Sequence, residues 1–286
     1  MAVAIVTDSN SGILGNEEWE KEAYVIPMPV LLDGRTYYEG QNMSHEQFYR
    51  LLAEHKPIST SQPAPADILE IWEKVLESGY EEIVYVPMSS GLSSSFQTAK
   101  MLADEYGGKV QVVDNHRISV TQKQSVKDAL WLAEEGCTAE EIRKELEKTA
   151  YDSIIYVGVE TLEYLKKGGR ITPAAAAMGT LLSLKPLLKI QGEKLDAYAK
   201  VRGSRACKKR LIEEMRKSAD NFQKQGIEIS IGAAGSFPDR EDDWEWLEMV
   251  KGGFPGEEIH YDPLTLSIGC HVGPGAFGMG ISRKLG

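Results

Sequence analysis

Three short runs of apolar, largely β-branched residues recur along the first half of the chain: Ala2–Val6, Glu82–Val86 and Val110–Val113. Each gives way to a polar loop and then to apolar residues spaced at helical intervals. Strands too uniformly apolar to have a wet face, alternating with helices, predict a parallel sheet covered on both sides. In such sheets ligands collect beyond the carboxyl ends of the strands. Those ends are marked here by Thr7-Asp8-Ser9, by the loop Met88–Ser95 and by Asp114-Asn115.

The same reading places helices at Ser44–Glu54, Ala66–Ser78, Ser94–Tyr106, Thr121–Glu135 and Ala139–Ala150. Tyr24–Leu32, interrupted by Pro27 and Pro29, reads as one edge strand that turns at Asp33-Gly34 into Thr36–Tyr38. A second unit begins near Tyr151 with a strand at Ile154–Val159. A short helix, Thr161–Lys167, is closed by Gly168-Gly169, and Thr172-Pro173 opens an apolar helix running to Leu184. Pro186–Ile190 and Lys194–Val201 read as a hairpin. The helices Ser204–Gln225 and Asp239–Lys251 alternate with strands at Ile227–Ala233 and Glu258–Tyr261. Ser267–Gly269 and Ala276–Ile281 read as closing strands around a loop that holds His271. The expectation is two α/β domains, residues 1–150 and 151–286, with a ligand site between them. A chain of 286 residues fits two domains.

Charge and cysteine content narrow the function. With 32 Lys and Arg against 43 Asp and Glu, the formal charge is −11. That balance repels nucleic-acid phosphates, so nucleic acid is not an expected partner. Cys137, Cys207 and Cys270 are few, odd in number and contain no Cys-x-x-Cys, which suits a reducing cytoplasm and no zinc site. No secretory signal and no apolar run of about 18 residues is expected, hence no integral membrane segment.

The chemistry-bearing residues are hydroxyls, one imidazole and one guanidinium. Thr60-Ser61-Gln62-Pro63 and Ser89–Ser95 are rich in hydroxyls, Arg170 follows Gly168-Gly169, and His271 precedes Gly273-Pro274-Gly275. Such groups hold a carboxylate or phosphate. Thr60, Ser61, Ser93, Ser94, Arg170 and His271 are therefore the candidate ligand-binding residues, with no catalytic residue, no metal and no cofactor assigned. Each has a plainer reading as a helix cap, a turn or a buried core histidine. Gly273–Gly278 matches Gly-x-Gly-x-x-Gly formally, but too little chain follows it for a dinucleotide fold. Neither a Walker loop nor a Gly-x-Ser-x-Gly elbow is present. Arg202, Arg205 and Lys208 form a basic cluster, either a solvated helix face or a docking patch for an acidic partner.

In their order along nearly the whole chain these landmarks resemble the DegV family of bacterial fatty-acid-binding proteins. The matching pieces are Thr7-Asp8-Ser9, Thr60-Ser61-Gln62-Pro63, Ser90-Gly91-Leu92-Ser93, Leu165–Ile171 with its Lys-Lys-Gly-Gly-Arg core, and His271–Ala276. The resemblance implies a long-chain fatty acid bound between two α/β domains. Its carboxylate would be held by the positions matching Thr60 and Ser93, with His271 near the head group. It also implies a non-catalytic carrier that presents the acid to the catalytic subunit of a fatty acid kinase, for acyl-phosphate and phospholipid synthesis. Two places depart from the family pattern: Ser94-Ser95 stand where Gly-Thr is usual, and Asn115-His116-Arg117 follow Asp114. Met28, Met178, Phe277, Met279 and the helix Ala174–Leu184 are the candidate tunnel lining. The competing readings are a metal-dependent phosphoryl- or acyl-transfer enzyme using Asp8, Asp114 and Ser93 with Mg²⁺, and a sensor of a small anion.

Overall fold

The computed structural model describes residues 2–14, 22–178 and 183–286. The first half runs β1 (Val3–Asp8), β2 (Ala23–Ile26), β3 (Pro29–Leu32), β4 (Arg35–Tyr38), α1 (His45–Ala53), β5 (Ile58–Thr60), α2 (Pro65–Glu77), β6 (Glu82–Val86), α3 (Ser95–Ala103), β7 (Val110–Val112), α4 (Val120–Glu134) and α5 (Ala139–Lys148). The second half continues with β8 (Ser153–Gly158), α6 (Glu163–Gly168), α7 (Pro173–Ala176), β9 (Leu184–Ile190), β10 (Asp196–Arg202), α8 (Ser204–Lys224), β11 (Ile229–Gly235), α9 (Arg240–Gly253), β12 (Ile259–Pro263), α10 (Leu266–Val272) and β13 (Phe277–Arg283).

The expected parallel sheet is present, in the order β2-β1-β6-β7 with every pair parallel. One face carries α2 and α3 over a core that includes Trp72 and Tyr85; the other carries α4 and α5 over Val84, Val126 and Ile142. A six-stranded sheet, β10-β9-β8-β13-β11-β12, forms the second layer system; among its neighbours only β11 and β12 run parallel. Helices α8 and α9 cover one of its faces through Leu211, Met215 and Trp246. The opposite face meets α4, where Gly280 leaves no room for a side chain: a Cβ there would lie 2.8 Å from both Val120 and Thr121. A small antiparallel sheet, β4-β3-β5, packs with α1 and α10.

Besides β5 (Ile58–Thr60), a strand where the sequence reading placed none, three segments differ from the sequence expectation. Tyr24–Leu32 is not one edge strand but two strands in two sheets. Pro27 and Pro29 lack the amide protons a continuous ladder needs, so β2 ends at Ile26 and β3 restarts at Pro29 as the middle of the small sheet. Ser267–Gly269 is not a strand but the centre of α10. Seven residues are too few to display helical periodicity, yet Leu266 and Cys270, one turn apart, bury together against α1. The helix expected from Pro173 to Leu184 is only the short α7, capped by the Thr172 hydroxyl on Ala175 N; β9 already begins at Leu184, and residues 179–182 lie outside the described chain.

The two large sheets are tied by a buried ion pair. Lys123 on α4 reaches Asp262 on β12 at 2.6 Å, with side chains only 5% and 15% exposed. Removing one partner strands the other charge away from water. Lys123→Ala is expected to lower unfolding free energy by about 3 kcal/mol in urea titrations; a loss under about 1 kcal/mol, the range of a surface pair, would contradict this role.

Candidate ligand-binding site

The rim of the parallel sheet is organised by one buried carboxylate. Asp8, at the end of β1, accepts hydrogen bonds from Met88 N at 2.7 Å, Asn10 N at 3.0 Å and the Gln122 side chain at 3.2 Å. Burial raises its pKa to about 6 despite these donors. The Met88–Ser95 loop is thus anchored at its start by Asp8, while Ser90 N donates to Asp114 at 3.4 Å. Ser9 performs the same service for Met28, whose amide donates to its hydroxyl at 3.0 Å. Both carboxylates are engaged as loop anchors. Among the described residues no group of three His, Cys, Asp or Glu is placed to hold a metal ion.

The loop also touches the second half of the molecule. Gly91 lies against the β9–β10 turn so closely that a Cβ would sit 2.9 Å from Glu193 Cα, and the Ser89 hydroxyl donates to Gly192 O at 2.8 Å. Between these surfaces runs a narrow cavity with about 870 Å³ of atom-free space, part of it continuous with solvent. Its walls are mostly aliphatic. Met28, Met88, Leu92, Ile118 and Val120 come from the first half of the chain; Ile155, Val157, Ile190, Leu195, Leu264 and Ile268 come from the second. Met279 lines it as expected from sequence. Phe277 does not: it is fully buried against Trp246 in the core under α8 and α9. Met178 packs against the cluster around the cavity without lining it.

The cavity's polar lining includes Thr60, Ser61, Ser93, Arg170 and His271, with Gln62, Ser119 and Ser267. Thr60 Oγ1 and His271 Nε2 are 2.8 Å apart, joining β5 to α10. Gly168, at the end of α6, makes room for the imidazole: a Cβ there would lie 2.3 Å from His271 Nδ1. Gly169 then turns the chain in the left-handed region (φ 70°) and delivers Arg170. Arg170 Nε donates to Leu92 O at 3.2 Å and one terminal amino group donates to Gly168 O, which ties the basic turn to the serine loop. Ser93 Oγ lies 2.7 Å from Ser95 Oγ and accepts from Ser95 N. Gln62 accepts from Thr98 on α3 at 3.1 Å, orienting the Thr60–Gln62 segment. Ser236 fixes the Gly273–Ala276 turn by donating to Gly273 O and accepting from Ala276 N.

Electrostatically this end favours an anion. Burial, with the positive Arg170 adding to it, pushes the His271 pKa down to about 4, so the ring is neutral at pH 7. Burial holds the Cys270 thiol up at about 11, which leaves it an inert neighbour. Arg170 is the charge acting on His271, and hydroxyls and the imidazole share the cavity lining with it.

Not every sequence candidate converges here. Ser94 is exposed at the N-terminal boundary of α3, has ordinary backbone angles (φ −80°, ψ 4°) and does not line the cavity. Its departure from the family glycine therefore sends a side chain into solvent. Arg202 and Arg205 are exposed, but Lys208 turns inward, its ammonium 5.1 Å from the Phe237 ring centroid, and so is not part of a surface patch with them. Ser119 was not anticipated. It sits in the cavity wall at φ 55°, where a non-glycine residue is uncommon, and no sequence pattern announces such a conformation.

The architecture is that of an α/β protein with an internal, mainly apolar cavity provided with hydroxyl, imidazole and guanidinium groups. The chain belongs to the DegV family: the family model described as "Uncharacterised protein, DegV family" matches residues 2–284. A DegV domain-containing protein of Streptomyces coelicolor is 31% identical over 283 residues, covering 99% of both chains, and one from Listeria innocua is 30% identical over 284 residues with the same coverage. Among solved structures, a DegV family protein from Thermus thermophilus, described for its fatty acid binding, superposes with TM-score 0.87 at 30% identity, covering 99% of this chain and 100% of its own. The fatty acid binding DegV family protein of Streptococcus agalactiae superposes with TM-score 0.86 at 26% identity over the full length of both.

Because the folded state favours neutral His271, its titration midpoint by NMR is expected near 4 and not near the ordinary 6.5. The neutral-state preference contributes stability above pH 6.5 that is lost as pH falls toward 4, so wild type should lose stability relative to His271→Asn across that window. A midpoint near 6.5 would contradict the burial described. Gly168→Ala is expected to displace the ring and cost about 1–3 kcal/mol in thermal or urea unfolding; an unchanged His271 environment would contradict the packing.

Proposed function

We propose that the protein binds a long-chain fatty acid, with the acyl chain in the aliphatic cavity and the carboxylate among Thr60, Ser93, Arg170 and His271. The observation that carries this reading is the cavity itself: narrow, aliphatic, and supplied with donors and a guanidinium but no facing carboxylate among its lining residues. Each methylene removed from water contributes up to about 0.8 kcal/mol. The head group needs donors more than charge, and hydroxyls together with a guanidinium provide charge-assisted hydrogen bonds. One terminal amino group of Arg170 makes no protein hydrogen bond among the described residues and is available to an anion. Relatives of known structure described as fatty acid binding support the same ligand class.

The finer reading is that of a non-catalytic carrier in two α/β domains, residues 1–150 and 151–286, working in the cytoplasm. It would hold the acid for the catalytic subunit of a fatty acid kinase, which forms the acyl-phosphate used in phospholipid metabolism. Arg202 and Arg205, exposed near the start of α8, are the docking residues this reading retains. No cofactor enters it.

Retention of labelled palmitate or oleate tests the head-group assignment. Ser93→Ala and His271→Ala are each expected to weaken binding by about ten- to a hundredfold, the value of roughly one hydrogen bond to a charged group, with Ser93→Ala unfolding near wild type and His271→Ala less stable but folded at the assay temperature. Unchanged retention in both variants would sink the assignment. Acyl-phosphate formation from the bound acid, ATP and a fatty acid kinase subunit tests the carrier role; turnover by the protein alone would refute it.

A further inference from the structure

A second cleft lies between α1 and α9, with about 1750 Å³ of atom-free space partly open to solvent. The fatty acid reading makes no use of it. Its walls are mainly aromatic, with Tyr49, Phe237, Trp244 and Tyr261, and carry the carboxylates Glu46 and Asp243 beside Arg240 and His45. The cleft is built by a glycine. A Cβ on Gly235, at the end of β11, would lie 2.5 Å from the Phe237 ring and 2.8 Å from the Tyr261 hydroxyl, so only glycine lets both rings close over the strand end.

The charges inside it are unevenly committed. Glu39, which is not among the lining residues, is already bonded to His45 and to Leu266 N. Tyr261 donates its hydroxyl to one oxygen of Asp243. The other Asp243 oxygen accepts no hydrogen bond among the described residues, and burial raises this carboxyl above its usual range. Arg240, exposed at the start of α9, is the permanent cation in the lining and acts on Asp243 through space without a hydrogen bond, while the His45 ring is held by Glu39. Trp244 stands at the cleft 64% exposed, a large indole left in water. Phe237 already holds an ammonium, that of Lys208, against its ring. Aromatic faces beside a partly desolvated carboxylate select a large, weakly hydrated cation over a metal ion, which needs several oxygen ligands.

We propose that this cleft binds a small organic cation of the alkylated-ammonium type, with Trp244 and Tyr261 against its alkyl groups and Asp243 as counter-charge. This site is independent of the fatty acid reading and stands or falls separately from it.

Tetramethylammonium is the probe, titrated into the full-length protein while saturation transfer to its methyl protons is followed, with equal ionic strength held by NaCl. A saturable signal is expected, weakened about tenfold in Asp243→Asn, the loss of one cation–carboxylate contact, and similarly weakened in Trp244→Ala. Trp244 is exposed, so its replacement keeps the test valid should Asp243→Asn fail to fold. No saturable signal in wild type, or one that either folded variant leaves unchanged, overturns the proposal.

Discussion

Asp8 is the interaction on which the arrangement depends. A carboxylate at the end of a central parallel strand, fully removed from water, is costly unless donors surround it. Here three donors converge: a backbone amide in its own turn, the amide of Met88, and the Gln122 side chain from α4. Satisfying one buried charge therefore fixes the turn after β1, the start of the serine loop and the first turn of α4 relative to one another. The serine loop and α4 contribute cavity wall through Met88 and Val120, and the turn after β1 holds Met28 in the wall through the Ser9 hydroxyl. The raised pKa of Asp8 records what that burial costs; the folded protein retains the charge because the loop geometry supplies its partners.

From that rim the site is assembled by close approaches that only glycine permits. Gly91 lets the serine loop meet the β9–β10 turn, and Gly168 lets the end of α6 lie on the His271 ring. The result brings Thr60 and His271, 211 positions apart in sequence, within a hydrogen bond. It also leaves Arg170 fastened between Leu92 and Gly168. Polar groups held by neighbours in this way are pre-organised for a carboxylate and need little reordering when it arrives.

Much of this was legible in the chain. Strands such as β1 and β6 contain short unbroken apolar runs, and helices such as α2 and α5 repeat at helical intervals, so these patterns place them. Thr60, Ser93, Arg170 and His271 could be singled out because hydroxyls and charges beside Gly-rich turns are unusual in a core. What escaped has local causes. Helix α10 is seven residues long, so its pattern is indistinguishable from a strand, and burial beneath α1 decides its form. The β2–β3 break depends on which sheet each side joins, a tertiary choice. Lys208 looks like a member of a basic surface run until the fold turns its ammonium over Phe237. Ser119 adopts a left-handed φ that serine composition does not signal.

The central claim is that the cavity holds an acyl chain, and the most direct measurement is mass spectrometry of an organic-solvent extract of the purified protein. The account predicts a long-chain fatty acid in near-stoichiometric amount, tightly held because many methylenes are buried together. An extract without acyl chains, from a protein that also fails to take up added palmitate or oleate, would contradict it.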